Sequence, residues 1–144
     1  MVKSKFPRTA TLSEFTNVQT DVKANTFQKI YEYVVPAQQG IRYGKGAIVN
    51  GVDDRGTLIL VLKDNNGNAI SGWVRLAYVD ANEINKRVVM EERTEVLEAG
   101  LPLGETPPGV KEDSKLIIEF KPDSDAKISP VKSKGQIPLT IYTL

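Results

Sequence analysis

The sequence contains no cysteine and no histidine. Without cysteine there is no disulfide framework, no thiolate metal site and no thiol nucleophile. Without histidine the chain lacks the side chain most used for proton transfer near neutral pH and for holding transition metals, so any catalytic triad would need an unusual base. Long apolar runs are missing as well. No stretch approaches the roughly 18 consecutive apolar residues of a membrane helix, and no apolar segment of signal-peptide length follows the basic residues Lys3, Lys5 and Arg8. Neither a cleaved secretory signal nor a membrane span is therefore expected. No Asn-x-Ser/Thr sequon occurs, so nothing points to glycosylation. A dominant charge is absent too: 19 Lys and Arg stand against 18 Asp and Glu. The molecule carries almost no net field to steer it onto nucleic acid or an anionic membrane, and neither is an expected partner.

What is present describes one folded β domain. The 144 residues match the common size of a single domain, and 40% hydrophobic with 26% charged residues is close to the globular average. Residues 1–25 are polar and sparse in apolar side chains. Leu12, Phe15, Val18 and Val22 fit a helical face only loosely, and Thr11 with Glu14 has the spacing of a capping box. This segment reads as an extended N-terminal arm packing on another surface, with a frayed terminus as the alternative. Residues 26–144 form the domain proper.

Within it, Phe27 to Val35 is rich in aromatic and β-branched residues and reads as a strand ended by Pro36. Gly40, Gly44 and Gly46 break the next segment into short strands, and Asn50-Gly51 and Arg55-Gly56 mark turns. Thr57 to Leu62 is a continuous apolar run, expected to be a strand buried on both sides at the centre of a sheet. Asn66-Gly67 predicts a hairpin with a primed turn leading into a strand over Ile70 to Val79. In that strand Ile70, Gly72, Val74, Leu76 and Tyr78 share one face and Ser71, Trp73, Arg75 and Ala77 the other. Lys86 to Leu97 reads as a long strand with helix as the competing assignment, and Val89 and Glu92 break its alternation as a bulge would. Ala99 to Ser114 holds too many glycines and prolines for a regular element and is a long loop. Leu116 to Phe120 is a strand, and Ile137 to Leu144 closes the chain as an apolar strand docked into a sheet. Seven or eight strands with no repeated strand-helix unit give an all-β fold: an antiparallel β-sandwich or jelly-roll, with a closed barrel as the alternative.

Chemistry-bearing patterns are few, and no catalytic, metal or cofactor-binding residue is assigned. Ser129-Pro130-Val131-Lys132 has the spacing of a lysine-activated serine without the companion motifs, and reads as a polar loop. Asp53-Asp54 and Glu91, Glu92 and Glu95 are the candidate carboxylate pairs for glycosidic hydrolysis, but neighbours in a strand point to opposite faces, which favours solvated surface charges. Asp64, Asn66 and Asn68 have the alternate spacing of a calcium loop and lack its later glutamate, which favours the turn. Gly40, Gly44 and Gly46 are followed by no helix and cradle no phosphate. Lys3, Lys5 and Arg8, and Lys127, Lys132 and Lys134, are clusters of only three charges, enough for weak salt-sensitive phosphate contact at most. Tyr31 and Tyr33 share a face while Trp73 and Tyr78 do not, so packing is favoured over ligand stacking for these rings.

The run Tyr31-Glu32-Tyr33-Val34-Val35-Pro36-Ala37-Gln38-Gln39-Gly40-Ile41-Arg42-Tyr43-Gly44, with the hairpin and the Gly72-Trp73-Val74-Arg75-Leu76 strand after it, resembles stretches of small β-rich virion proteins of tailed phages and archaeal viruses. The resemblance covers about the middle half of the chain and includes no site motif, so it carries over no functional residue. It implies a non-enzymatic capsid decoration, cement or minor capsid component located in the virion and assembled in the host cytoplasm. It also implies homo-oligomers, trimers foremost, that bind a major capsid protein through arms and loops, and no cofactor. The rival classes are a carbohydrate-binding β-sandwich module using Tyr31, Tyr33 or Trp73, and an enzyme working through carboxylates alone.

Overall fold

The computed structural model describes residues 5–11, 21–35, 39–43, 47–49, 52–54, 57–80, 82–102 and 114–143. In chain order the elements are β1 (Lys5–Thr11), β2 (Asp21–Val22), β3 (Gln28–Val34), β4 (Gln39–Tyr43), β5 (Ala47–Val49), β6 (Val52–Asp54), β7 (Thr57–Val61), β8 (Gly72–Val79), β9 (Lys86–Arg93), α1 (Thr94–Ala99), β10 (Leu101–Pro102), β11 (Lys115–Pro122), β12 (Ala126–Lys127) and β13 (Lys134–Thr143). Among the described residues, eight strands have five residues or more, and all pairing is antiparallel. One sheet runs β3-β11-β8-β9. The other is organised on β13, which pairs β1 along one edge and both β7 and β4 along the other, with β10 beyond β7. Pro138 has no N–H to give, and it falls between the stretch paired with β7 and the stretch paired with β4.

A single apolar cluster joins the two sheets, which makes the fold an antiparallel sandwich. Leu58, Leu60 and Leu62 from β7 and its end, with Ile137 from β13, meet Tyr31, Val74, Leu76, Tyr78, Leu116, Ile118 and Phe120 from the other sheet. The alternation that places them follows from the two-residue period of a strand. Burial raises the ionisation of the Tyr31 phenol to about 12. The final strand docks as the sequence indicates, at the heart of its sheet.

Three local readings are corrected. First, β7 is not buried on both sides. Leu58 and Leu60 are buried, Thr57 is exposed and Ile59 and Val61 are intermediate; the strand covered on both faces is β11, whose Leu116 through Phe120 are all buried. Second, the Asn66-Gly67 turn is not primed. Gly67 N–H donates to the Asp64 carbonyl at 3.0 Å and only Gly67 of the loop has positive φ, at 82°. This is a type I turn followed by a glycine bulge, and it links β7 in one sheet to β8 in the other. Third, the strand over Lys86 to Leu97 ends at Arg93. Thr94 to Ala99 is helical and stops at Gly100, φ 99°, whose N–H donates to the Leu97 carbonyl at 3.2 Å. Ile30 and Tyr31 are consecutive yet both buried, because the register against β11 slips between Ile118 and Glu119 and leaves Ile30 as a bulge. The bulge expected in β9 is present: Leu76 aligns with Met90 and Ala77 with Val88, so Val89 is the extra residue.

Of the N-terminal segment, Lys5–Thr11 forms β1 along β13, and Asp21–Val22 pairs β12. The Thr11/Glu14 capping box, Lys3, Pro36, Gly44, Gly46, the Asn50-Gly51 and Arg55-Gly56 turns and most of the glycine- and proline-rich loop, 103–113, lie wholly or in part outside the described residues.

Candidate interaction face

The face of the β3-β11-β8-β9 sheet turned away from the core carries a layered arrangement that the strand registers dictate. Reading across β3, β11, β8 and β9, one row is Val34, Lys115, Val79 and Lys86, and the next is Glu32, Ile117, Ala77 and Val88. The third is Lys29, Glu119, Arg75 and Glu91, charges that alternate in sign at every strand. A fourth row holds Lys121, Trp73 and Arg93.

Neighbouring charges pair laterally. Glu119, buried to 7% exposure, accepts from Arg75 Nε at 3.0 Å and Lys86 Nζ at 2.7 Å. Lys86 starts in the first row on β9 and ends at the third row on β11, so its stem crosses β8 at Ala77. The small side chain there leaves room for it. A second apolar cluster, Ala77, Val79 and Ile117, is buried on this outer face of the sheet. Arg75 also approaches Glu91 at 4.0 Å and lies 3.8 Å above the Phe27 ring, with Lys121 4.9 Å from that ring.

Two further clamps border the face. Glu83, in the β8–β9 connection, reaches Lys29 at 3.2 Å and Lys115 at 3.4 Å, and Lys29 also binds Glu32 at 3.0 Å. The hydrogen bond to Glu32 leads in raising Lys29 above the ordinary lysine range, and the bond from Lys29 holds Glu83 low. Asp80 is held low chiefly by the Ile84 N–H, which fixes that connection. At the opposite end Arg93 forks onto Asp123 at 2.7 and 2.9 Å and onto Glu95 at 3.1 Å, raising the guanidinium and lowering both carboxylates. The clamp keeps Arg93 5.6 Å from the Trp73 ring, which remains 37% exposed. Val34 and Val88 are also exposed.

The sequence-selected residues fare differently. Ser129 is buried and its hydroxyl accepts the Lys132 backbone N–H at 3.2 Å, while the Lys132 ammonium lies beside Gly67, so serine and amine are not brought together. Glu91 faces outward with Arg75, Glu92 accepts the N–H of Arg93 at 2.9 Å, and Glu95 is held by Arg93. Asp53 and Asp54 lie in β6, paired with β5. Asp64 Oδ1 accepts the N–H groups of Asn66 and Asn68 at 2.9 Å, so it ties the turn together. It lines an open cleft of about 460 Å³ with Asp21, Asp125, Lys23 and Lys127. Asp125 in that cleft accepts the Ala24 N–H at 2.8 Å. Among the described residues no set of three metal-ligating side chains converges. Tyr31 and Tyr78 are buried and Tyr33 packs against the core, leaving Trp73 as the ring of the four that meets solvent most. Sequence reasoning missed Lys29, Glu83, Glu119 and Lys86 as a group, because their association depends on which strands become neighbours.

No protein-family model matches the chain, and no curated protein is similar to it in sequence. Solved structures do share its backbone arrangement. VP17, a capsid protein of bacteriophage P23-77, superimposes with a TM-score of 0.62 over 98% of this chain and 97% of that one, at 7% identity. A chain of the VP16-VP17 complex, formed by the two major capsid proteins of the same phage, gives 0.64 over 98% and 100%, also at 7% identity. At this identity the likeness is one of fold: the chain has the fold of these small β-rich phage capsid proteins along essentially its whole length.

Proposed function

We propose that this protein is a structural component of a virus particle that works by binding copies of itself and the proteins of a capsid lattice, without catalysing a reaction. The observation that carries the reading is the end-to-end backbone match to phage capsid proteins, 98% of this chain against 97 and 100% of theirs. A partial match could reflect a common β-sandwich core, whereas a full-length one extends to the connections and edges by which subunits differ. The chemistry of the described residues supports the same reading. Of the carboxylates considered for catalysis, Glu91, Glu92 and Glu95 are tied up in ion pairs or backbone hydrogen bonds, and an outer sheet face is organised by charge and small apolar contacts, as adhesion requires.

Within that reading the chain is a decoration, cement or minor capsid component, or a lattice-forming subunit itself, residing in the virion after assembly in the host cytoplasm. It forms homo-oligomers, with trimers the first to look for. Co-expression with the proteins encoded beside it, followed by electron microscopy, tests the proposal. Shells or sheets containing the chain are expected; neighbours that assemble while the chain stays a free monomer would overturn it. The carbohydrate-module alternative now rests on Trp73 alone among its three rings, and binding on a glycan array that is abolished by Trp73→Ala would favour it over assembly.

A further inference from the structure

The outer face of the β3-β11-β8-β9 sheet holds three apolar side chains as hidden as core residues: Ala77, Val79 and Ile117 are 0, 2 and 2% exposed. A side chain on the outside of a sheet reaches such burial only when other groups lie across it. The connection between β8 and β9 supplies some of them. Its Glu83 bonds Lys115 at 3.4 Å, in the first row, and Lys29 at 3.2 Å, in the third. The carboxylate therefore spans the second row, where Ile117 follows Lys115 on the same face of β11.

We infer that Asp80 and residues 82–85 form an acid-released clasp: with its carboxylates ionised it lies shut over Val79 and Ile117, and on their protonation it lifts away while the sandwich stays folded. The inference is independent of the assembly reading. Residues 82–85 are all exposed, Ile84 to 77%, so lifting them withdraws no side chain from the core. The shape of the clasp is held chiefly by Asp80. Its Oδ1 accepts the Ile84 N–H at 2.8 Å, and its Oδ2 accepts the Asn85 side-chain amide at 2.9 Å and the Asn85 N–H at 3.3 Å. Backbone bonds add the Glu83 N–H to the Asp80 carbonyl at 2.9 Å and the Asp80 N–H to the Asn85 carbonyl at 3.3 Å. Working against these bonds is Glu83 itself, a non-glycine residue at φ 56°. A left-handed backbone with an L side chain is strained, and it persists only while its surroundings hold it there. Neutral carboxyls remove the Glu83 tie to the lysines and weaken the Asp80 cap, and the strain then favours opening.

The charged groups around the clasp permit this release. Glu83 faces Lys29 and Glu32 from β3 and Lys115 from β11. Glu32 bonds Lys29 at 3.0 Å and lies 3.7 Å from Lys115, so both ammonium groups keep a counter-charge when the clasp lifts. Asp80 shares a shallow recess with Lys86 and Arg87 of β9, and Lys86 is drawn away to Glu119 at 2.7 Å. The Ile84 N–H holds Asp80, and Lys29 holds Glu83, below the ordinary carboxylate range. Closure is therefore complete above about pH 5 and is lost as the pH falls through the lowered values, below about 4.

Asp80→Ala tests the clasp at neutral pH, because the bonds Asp80 makes are to Glu83, Ile84 and Asn85 and to neither lysine. Acylation of the full chain by a water-soluble succinimidyl ester, followed residue by residue by mass spectrometry, should run about fivefold faster at Lys29 and Lys115 in the variant, with Lys63 and Lys127 unchanged as controls. Anilinonaphthalene sulfonate should fluoresce more strongly as Val79 and Ile117 come into reach. Unchanged lysine reactivity, or a rise with no gain in dye emission, overturns the inference. Should Asp80→Ala not fold, Asp80→Asn keeps the shape and loses the charge; it should raise reactivity and emission in the same direction by a smaller factor, and no rise overturns the inference equally. The acid arm uses the unaltered chain. Amide exchange followed by NMR from pH 7 down to pH 3 should show Ile84 and Asn85 losing protection while the amides of β8 and β11 keep theirs. Loss of both sets in one step, or clasp protection that lasts until the sandwich itself unfolds, contradicts it.

Discussion

Replacing Gly72 by alanine tests the register on which the outer face depends. A Cβ built at Gly72 would lie 2.4 Å from the Lys121 carbonyl oxygen, 2.7 Å from Pro122 Cα and 2.7 Å from Phe120 Cε1. Two of the three are backbone atoms of the strand paired with β8, so relief requires separating β8 from β11 at its first pair, Gly72 with Pro122. The Gly72 N–H is also committed, at 3.1 Å, to Thr94 Oγ1 at the start of α1. Overpacking of this kind costs about 1–3 kcal/mol, and the backbone contacts put Gly72→Ala near the top of that range. The gain from a less flexible unfolded chain returns at most ~1 kcal/mol. At roughly 4 °C per kcal/mol for a chain of this size, the melting temperature should fall by about 10 °C. Gly67→Ala is the control: its Cβ meets nothing closer than Lys132 Nζ at 3.9 Å, and only the positive φ of 82° penalises it, by about 1–2 kcal/mol. Thermal unfolding followed by circular dichroism compares the two. A Gly72→Ala melt within about 2 °C of wild type, or a larger loss at Gly67, would refute the β8–β11 register and with it the rows of the outer face.

Neutralising the ion-pair hub by Glu119→Gln should cost about 1–3 kcal/mol, and a double-mutant cycle with Arg75→Met should show coupling between the two; additive losses would contradict the pairing. Acid should destabilise the fold. Glu83, Glu95, Asp80 and Asp123 are held below the ordinary carboxylate range, so their contribution is complete above about pH 5 and is lost as the pH falls through their folded values. Chemical denaturation at pH 6 and pH 3 measures it, and equal stabilities would argue against the clamps. In an alkaline absorbance titration Tyr31 should ionise only at about 12, after any exposed tyrosine. Trp73 is the sole tryptophan and is partly exposed, so an assembly contact that covers it should shift its emission to the blue; unchanged emission on assembly would place the contact elsewhere.

Much of this fold could be read from residue order because its signals are local. The alternation of Gly72, Val74, Leu76 and Tyr78 against Trp73, Arg75 and Ala77 fixes which side of β8 is core, and the break at Val89 marks the β9 bulge. Other features escaped for physical reasons. Thr57 to Leu62 and Leu116 to Phe120 are both apolar runs, and only the order of strands in space makes the second one the doubly covered strand. Ile30 looks like an ordinary strand residue until its register against β11 leaves it without an opposite. The end of β9 at Arg93 did carry a sign, the helix formers Glu95, Leu97, Glu98 and Ala99 followed by Gly100, which the surrounding β pattern outweighed. The Asn66-Gly67 turn was placed correctly and its type was not, since a glycine after a type I turn and a primed pair share the same letters. The outer face was the least legible part: Lys29, Glu119, Arg75 and Glu91 come from four strands whose adjacency exists only after folding.

The proposed role of this chain is incorporation into a viral shell. Quantitative mass spectrometry of purified particles, calibrated against a labelled copy of the chain, tests it most directly. Many copies per particle, in fixed ratio to the other shell proteins, is the expected result; particles that carry none, with the chain left wholly in the soluble fraction, would contradict it.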